Sequence, residues 1–380
     1  MELIKNIKKN TILLLFLTII ILYIILKDDL KEIILAIKNI NYFYIIIAII
    51  LYFLSISING YITYKSVNNK EKLSLKEAIK HKIITQFFNG ITPFSSGGQP
   101  MEIYMLTQHG ISSSKATSII IQNFIFYQTA LVIFGILAVI YNARFHIFSS
   151  IPILRRFVLL GFSINIIVII VLYMIILSKK QVKKLLKSTI HLLTKLNIVK
   201  NEEEKVTKYT EKLEEFYNCS KELRQKKKLL ISGIILNFIG LVFLYIIPLF
   251  IAYALNDFTS LNIANTLTAS AYVLIIGAFI PAPGASGGIE YGFIKFYSHF
   301  LPKVILNTTL LIWRFITYYL GMIVGALLIN FEKKGKWYYA NRFIYWLISS
   351  IYKWSVNQCS HAKKSLRKKR THSICCYRRQ

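Results

Sequence analysis

An all-α polytopic integral membrane protein is the fold class this sequence predicts: about six transmembrane helices plus two re-entrant Gly-rich hairpins, arranged as an inverted repeat. Three observations carry that prediction. The chain is 55% hydrophobic with a mean hydropathy of +0.51, too apolar for a soluble protein of 380 residues. Its 47 Lys/Arg stand against 17 Asp/Glu, a net charge of +30, and they fall in loops and tails between apolar runs. Finally, Pro93-Phe94-Ser95-Ser96-Gly97-Gly98 returns as Pro283-Gly284-Ala285-Ser286-Gly287-Gly288, with Glu102 and Glu290 close behind.

Taken in order, a lysine-bearing start leads into an uninterrupted apolar run from Thr11 to Leu26. No small-residue cleavage site follows it, so it is expected to be the first membrane helix, not a signal peptide. Tyr42 to Ile58 is the second. Lys65 to Lys82 holds six lysines against two glutamates, a net +4 that marks the cytoplasmic side. Ile83 to Leu106 is apolar but broken by the first motif. Irregular backbone at membrane depth persists only inside protein or along a wet cavity, so this segment is expected to be a re-entrant hairpin.

Ala116 to Tyr141 and Phe157 to Leu177 are the third and fourth helices. Ser178 to Lys228 carries 15 Lys/Arg and 7 Glu, a net +8 with acids at helical spacing, which predicts solvated cytoplasmic helices. Leu229 to Leu255 is the fifth helix, Ile263 to Tyr297 the second broken hairpin, and Val304 to Asn330 the sixth helix. Beyond it, Glu332 to Gln380 has 13 Lys/Arg and one acid. There Trp337 to Trp354 predicts an interfacial aromatic helix, and the segment from Lys363 a basic cytoplasmic tail.

The resulting organisation is a membrane domain, 1–330, followed by the tail segment 331–380. Within the domain, 1–141 is the first repeat with its re-entrant stretch 83–106. The second repeat, 157–330, contains the cytoplasmic loop 178–228 and the re-entrant stretch 263–297. With the N-terminus inside and six crossings, the three most basic segments fall in the cytoplasm, and the loop with Arg144, Arg155 and Arg156 is left outside. The two units then begin on opposite faces, so their hairpins enter from opposite sides and meet near the midplane, where transporters of this type hold their substrate.

The candidate site follows from these two turns. Glycine allows left-handed backbone and close approach, which would leave N–H groups of Gly97, Gly98, Gly287 and Gly288 free to face a cavity. A half-helix starting after each turn would add positive potential suited to phosphate, with Ser95, Ser96 and Ser286 as further donors. Gln99 adds an amide that the second copy lacks. Glu102 and Glu290 are the acids tied to the motifs, and Arg314 is the only arginine within an apolar span. A charge at that depth costs roughly 3 kcal/mol or more, so such groups are paired or functional. Two readings stay open: an ion pair that holds the hairpins together, or a polar lining for a head group or proton. Gly321-x-x-x-Gly325 reads as helix packing.

The seven histidines are scattered and no nucleophile motif appears, so no catalytic residue, metal or cofactor is expected. Direct nucleic-acid binding is not expected, because the cations track topology. The four cysteines have neither metal nor disulfide spacing. Cys375 and Cys376 are either acylation sites or stray thiols.

Thr92 to Pro100, Pro281 to Glu290 and Trp313-Arg314 resemble the lysylphosphatidylglycerol synthase transmembrane region, the flippase-like half of the multiple peptide resistance factor. The resemblance covers roughly residues 5 to 330. It implies a multi-pass protein of the bacterial cell membrane, with both termini cytoplasmic, that moves phosphatidylglycerol or its lysylated form between leaflets and is linked to resistance against cationic antimicrobial peptides. Full-length relatives add a cytosolic domain that transfers lysine from lysyl-tRNA. Here the chain is expected to lack it, since only about 50 residues follow the last helix. The partners implied are membrane phospholipid and, for aminoacylation, a separate aminoacyltransferase; homo-oligomerisation is left open. Two rival functions remain: a phosphatidylglycerol lysyltransferase, alone or with a partner domain, and an ion-coupled transporter of a solute or isoprenoid-linked lipid.

Overall fold

The computed structural model describes residues 35, 37–67, 73–148, 152–195, 202–277, 280 and 282–330, and every described element is helical. The described residues up to Leu328 belong to one compact unit, which holds the site discussed below. The expected first span at Thr11–Leu26, the aromatic helix at Trp337–Trp354 and the basic tail lie outside the described residues.

In chain order, α1 is Tyr42–Ser66 and α2 is Leu75–Ile91; a 3-10 turn at Pro93–Ser95 leads to α3, Gly98–Thr107. Next come α4 (Ser113–Phe145), α5 (Pro152–Leu177), α6 (Lys179–Lys195) and α7 (Glu202–Gln225). The third group is α8 (Lys227–Tyr245), α9 (Ile247–Ala254) and α10 (Ile263–Gly277), then a 3-10 turn at Pro283–Ala285 and α11 (Gly288–Tyr297). Finally, α12 (Lys303–Arg314) continues through a π-helical turn, Phe315–Leu320, into α13 (Gly321–Asn330).

Among the described residues, five helical segments are long and apolar enough to cross a bilayer: Tyr42–Ser66, Ser113–Phe145, Val158–Ile175, Lys227–Ala254 and Lys303–Ile329. Their outer faces are greasy. On α5, Leu159, Leu160, Ile164, Ile167 and Ile170 are all exposed, a continuous apolar surface that belongs against lipid tails. The expected fifth helix is two pieces, because Pro248 lacks the N–H that would continue the ladder.

Each broken segment is a hairpin. Its second arm, α3 or α11, has 10 residues, about 15 Å, half of the ~30 Å hydrocarbon thickness. Contacts fix which end of the molecule each hairpin enters. A cluster of Val67, Leu73, Ala78, Leu106, Ile111 and Ala116 gathers the end of α1, the start of α2, the end of α3 and the start of α4. At the opposite end the Asn41 N–H donates to the Ala254 carbonyl at 2.8 Å. There too the Tyr141 hydroxyl, near the end of α4, meets Asn265 at the start of α10, and Phe148 stacks edge-on to Phe296 near the end of α11. The two hairpins therefore enter from opposite ends, and their 3-10 turns pack together in the middle. The order helix, short arm, turn, short arm, helix occurs twice with inverted sense.

Caps set several starts. Asn41 accepts from the Phe43 N–H at 3.1 Å to open α1, and Ser112 caps α4. The entry to the first hairpin is a capping box: the Glu77 N–H donates to Ser74 Oγ at 3.2 Å, and the Ser74 N–H donates to Glu77 Oε2 at 2.9 Å. The Ser74 amide, followed by its hydroxyl, holds the Glu77 carboxyl below its ordinary value against opposing desolvation. Its folded value thus lies beneath its unfolded one, so the contribution is full above the ordinary carboxylate range and fades as pH falls through the folded value. Ser74→Ala is expected to cost about 1 kcal/mol at neutral pH, and the gap from wild type should shrink in acid. Thermal melting of both proteins between pH 7 and 3 measures this.

Gly321 and Gly325 do the packing expected of them. A Cβ at Gly325 would sit 2.7 Å from the Ile83 carbonyl on α2, and one at Gly321 would sit 2.0 Å from Tyr52 Oη on α1.

Candidate functional site: a polar cavity beside the first turn

The two turns share a backbone geometry that the pattern of glycines did not announce. In both copies the second and third residues are left-handed: Phe94 and Ser95 (φ 52° each), then Gly284 and Ala285 (φ 61° and 51°). For non-glycine residues this conformation is uncommon and costs of order 1 kcal/mol or more. Gly287 is also left-handed (φ 91°), whereas Gly97 has φ −81°. Gly97 and Gly98 are needed for space. A Cβ at Gly98 would lie 2.1 Å from Asn89 Oδ1, and one at Gly97 would lie 2.7 Å from Thr92 Cγ2.

That crowding reflects hydrogen bonds. The Gly97 N–H donates to Thr92 Oγ1 at 2.9 Å, and the Gly98 N–H donates to Asn89 Oδ1 at 3.0 Å. In the second copy the Gly287 N–H donates to Glu290 Oε2 at 2.7 Å. The expectation of amides left open to a cavity is therefore corrected at these three positions. Buried N–H groups demand partners, and side chains from the same hairpins supply them.

Of the two motif acids, Arg314 pairs with Glu290 and not with Glu102. Its Nε donates to Glu290 Oε1 at 2.7 Å, and Nη2 lies 2.6 Å from the same oxygen. The side chains are 4% and 0% exposed. Nη2 also donates to the Gly284 carbonyl at 3.0 Å and reaches Ser286 Oγ at 3.5 Å. The guanidinium sits 4.9 Å from the centre of the Tyr318 ring, whose hydroxyl donates to the Gly90 carbonyl at 2.9 Å, at the end of α2.

Glu102 takes a different cation, Lys82, at 2.6 and 2.7 Å to its two oxygens. Thr63 on α1 also donates to Glu102 at 3.2 Å, and Asn123 on α4 donates to Thr63 at 3.0 Å. Lys82 falls in the basic loop by composition, which hid it. The geometric signal was available: Lys82 stands 11 residues before Pro93 and Glu102 stands 9 after, so a hairpin turning at Pro93 sets them opposite.

These groups border a cavity of about 550 Å³. Ser95, Ser96, Gly98, Gln99 and Glu102 line it, as do Lys82 and side chains from α1, α4 and α8. Gly97 is buried behind it. Ser286, Gly287, Gly288, Glu290 and Arg314 are not part of the lining. The two motifs thus touch but differ: the first lines this cavity and the second does not. A Cβ at Gly288 would lie 1.4 Å from Ile280 Cδ1. Among the described lining residues only Lys82 and Glu102 are charged, and Tyr52, Asn59, Gln86, Asn123 and Asn237 add neutral polar groups that the sequence reading passed over.

The family description "Lysylphosphatidylglycerol synthase TM region" matches residues 11–325. The chain is also similar to the "UPF0104 membrane protein" of Archaeoglobus fulgidus, at 23% identity over 274 residues, covering 69% of this chain and 77% of that protein. No solved structure matches it. The matched span contains both turns, Lys82, Glu102, Glu290 and Arg314, and on that match the chain belongs to the lysylphosphatidylglycerol synthase transmembrane-region family.

Proposed function

We propose that this protein translocates a phospholipid between leaflets, with the head group passing through the cavity beside the first turn. The observation that supports this most directly is the placement of an ion pair, Lys82–Glu102, on the wall of a 550 Å³ polar cavity inside a multi-pass helical protein. Ionisable groups at such depth are expensive, and they mark substrate or ion paths. Two hairpins entering from opposite ends are also the arrangement on which alternating access is built. Phosphatidylglycerol and its lysylated form are the substrates that family membership suggests. By the same route we place the protein in the bacterial plasma membrane, contributing to resistance against cationic peptides. The excess of Lys/Arg in the segment bearing α6 and α7 supports a cytoplasmic position for that end.

The test is leaflet exchange in proteoliposomes. Purified protein is reconstituted with tail-labelled phosphatidylglycerol, and label in the outer leaflet is quenched chemically. Quenching is expected to pass the outer-leaflet half within minutes and to stop there in protein-free vesicles. Identical quenching in both would end the translocase reading.

A further inference from the structure

We propose that the cavity receives the apolar chain of its ligand together with the charged head, and that Phe94 is the side chain the apolar chain contacts. This depends on the translocase reading and adds the tail to its site. The first observation is a comparison of the two turns within the molecule. Pro93-Phe94-Ser95 and Pro283-Gly284-Ala285 share a left-handed backbone, with φ 52° at Phe94 and 61° at Gly284. Glycine adopts it freely, whereas phenylalanine adopts it at a cost. At Gly284 a side chain has no room, since a Cβ would lie 2.4 Å from the Tyr318 ring. The first turn carries a large apolar ring at the equivalent place. That ring is 61% exposed and lines the cavity, so it is accessible and not part of the packed core. Strain kept at an accessible cavity wall points to a functional contact.

The second observation is how polarity changes along the described lining. Lys82 and Glu102 pair toward the end where α2 starts and α3 finishes. Lys82 stands nine residues before Ile91, the last residue of α2, a rise of about 14 Å, and Phe94 lies beyond it in the turn. Leu241 and Leu244, in the second half of α8, also line the cavity. Helix α8 runs alongside α4 in the same direction, with Gly233 against Phe126 and with Phe238 and Tyr245 against Phe134. Both leucines are thereby carried away from the ion pair. Charge is confined to one end, and Phe94, Leu241 and Leu244 gather toward the other, beside the neutral Ser95 and Ser96. That gradient suits an amphiphile whose head meets Lys82 and Glu102 and whose first chain carbons cover Phe94. A phospholipid and a prenyl phosphate share this chemistry.

The experiment is equilibrium binding to the purified full chain in detergent. The probes are dihexanoylphosphatidylglycerol and its deacylated head group, glycerophosphoglycerol. Phe94→Gly and Phe94→Asn both remove the ring and both tolerate left-handed backbone. Each is expected to bind the acylated probe roughly tenfold more weakly than wild type, the effect of about 1.4 kcal/mol, and to bind the deacylated probe as wild type does. Phe94→Leu keeps apolar bulk and should stay within about threefold of wild type. Geranyl phosphate binding more tightly than the acylated probe would assign the chain to an isoprenoid, and weaker binding would assign it to an acyl lipid. Wild-type affinity for the acylated probe in both ringless variants would overturn the proposal. So would an equal loss for the deacylated probe, or no binding of the acylated probe to wild type. Binding is read without transport, so the expected pattern with no leaflet exchange would reject only the translocase reading.

Discussion

Arg314→Leu is expected to yield protein that does not survive purification as a folded species. The substitution leaves Glu290 as an uncompensated carboxylate at 0% exposure, and breaking a buried pair in this way costs about 3–5 kcal/mol. It also strips the Gly284 carbonyl of its donor and removes the cation from the Tyr318 ring. Arg314→Lys should rescue little, because one ammonium cannot reproduce the planar fork that reaches Glu290 and Gly284 together. The double variant Arg314→Leu/Glu290→Leu should recover much of the loss, since it removes both charges. Size-exclusion profiles and melting temperatures in detergent read the series. A single Arg314→Leu variant that melts within a degree or two of wild type would refute the structural role assigned to this pair.

The Lys82–Glu102 pair should behave in the opposite way. Its side chains are 13% and 5% exposed and face a cavity, so solvent can partly compensate a lone charge. Glu102→Gln and Lys82→Gln are each expected to leave a folded protein and to slow leaflet exchange at least tenfold. Each removes a charge-assisted bond of about 1.5–3 kcal/mol, where 1.4 kcal/mol is a factor of ten. The double variant should regain any lost stability without regaining exchange. Wild-type exchange rates in both single variants would move the site away from this cavity.

The contrast between the pairs marks what the sequence could and could not disclose. Apolar runs and breakers located the hairpins, because hydrophobic length and Pro/Gly interruption act locally along the chain. Cap residues such as Ser74 and Ser112 are legible for the same reason. Which cation each glutamate takes is a tertiary fact. Arg314 stood out as an arginine in an apolar span, and Lys82 was lost in a run of lysines that reads as a basic loop. The glycines misled in a different manner. Their value at Gly97 and Gly98 is the volume they yield to Thr92 and Asn89, while the strained backbone falls on Phe94 and Ser95, residues with no propensity to betray it. Tyr52 and Asn237, which line the cavity, sit inside membrane helices where the sequence reads simply as apolar.

Tyr318 has a mechanical meaning beyond its contacts. Its ring is held by the guanidinium that locks the second hairpin, and its hydroxyl is fastened to the last turn of α2 in the first. One rigid side chain is thereby a tie rod between two oppositely inserted wedges. A displacement of α2 must drag the second turn with it or snap that bond. The two hairpins are thereby coupled mechanically, through this bond as well as through their packed turns.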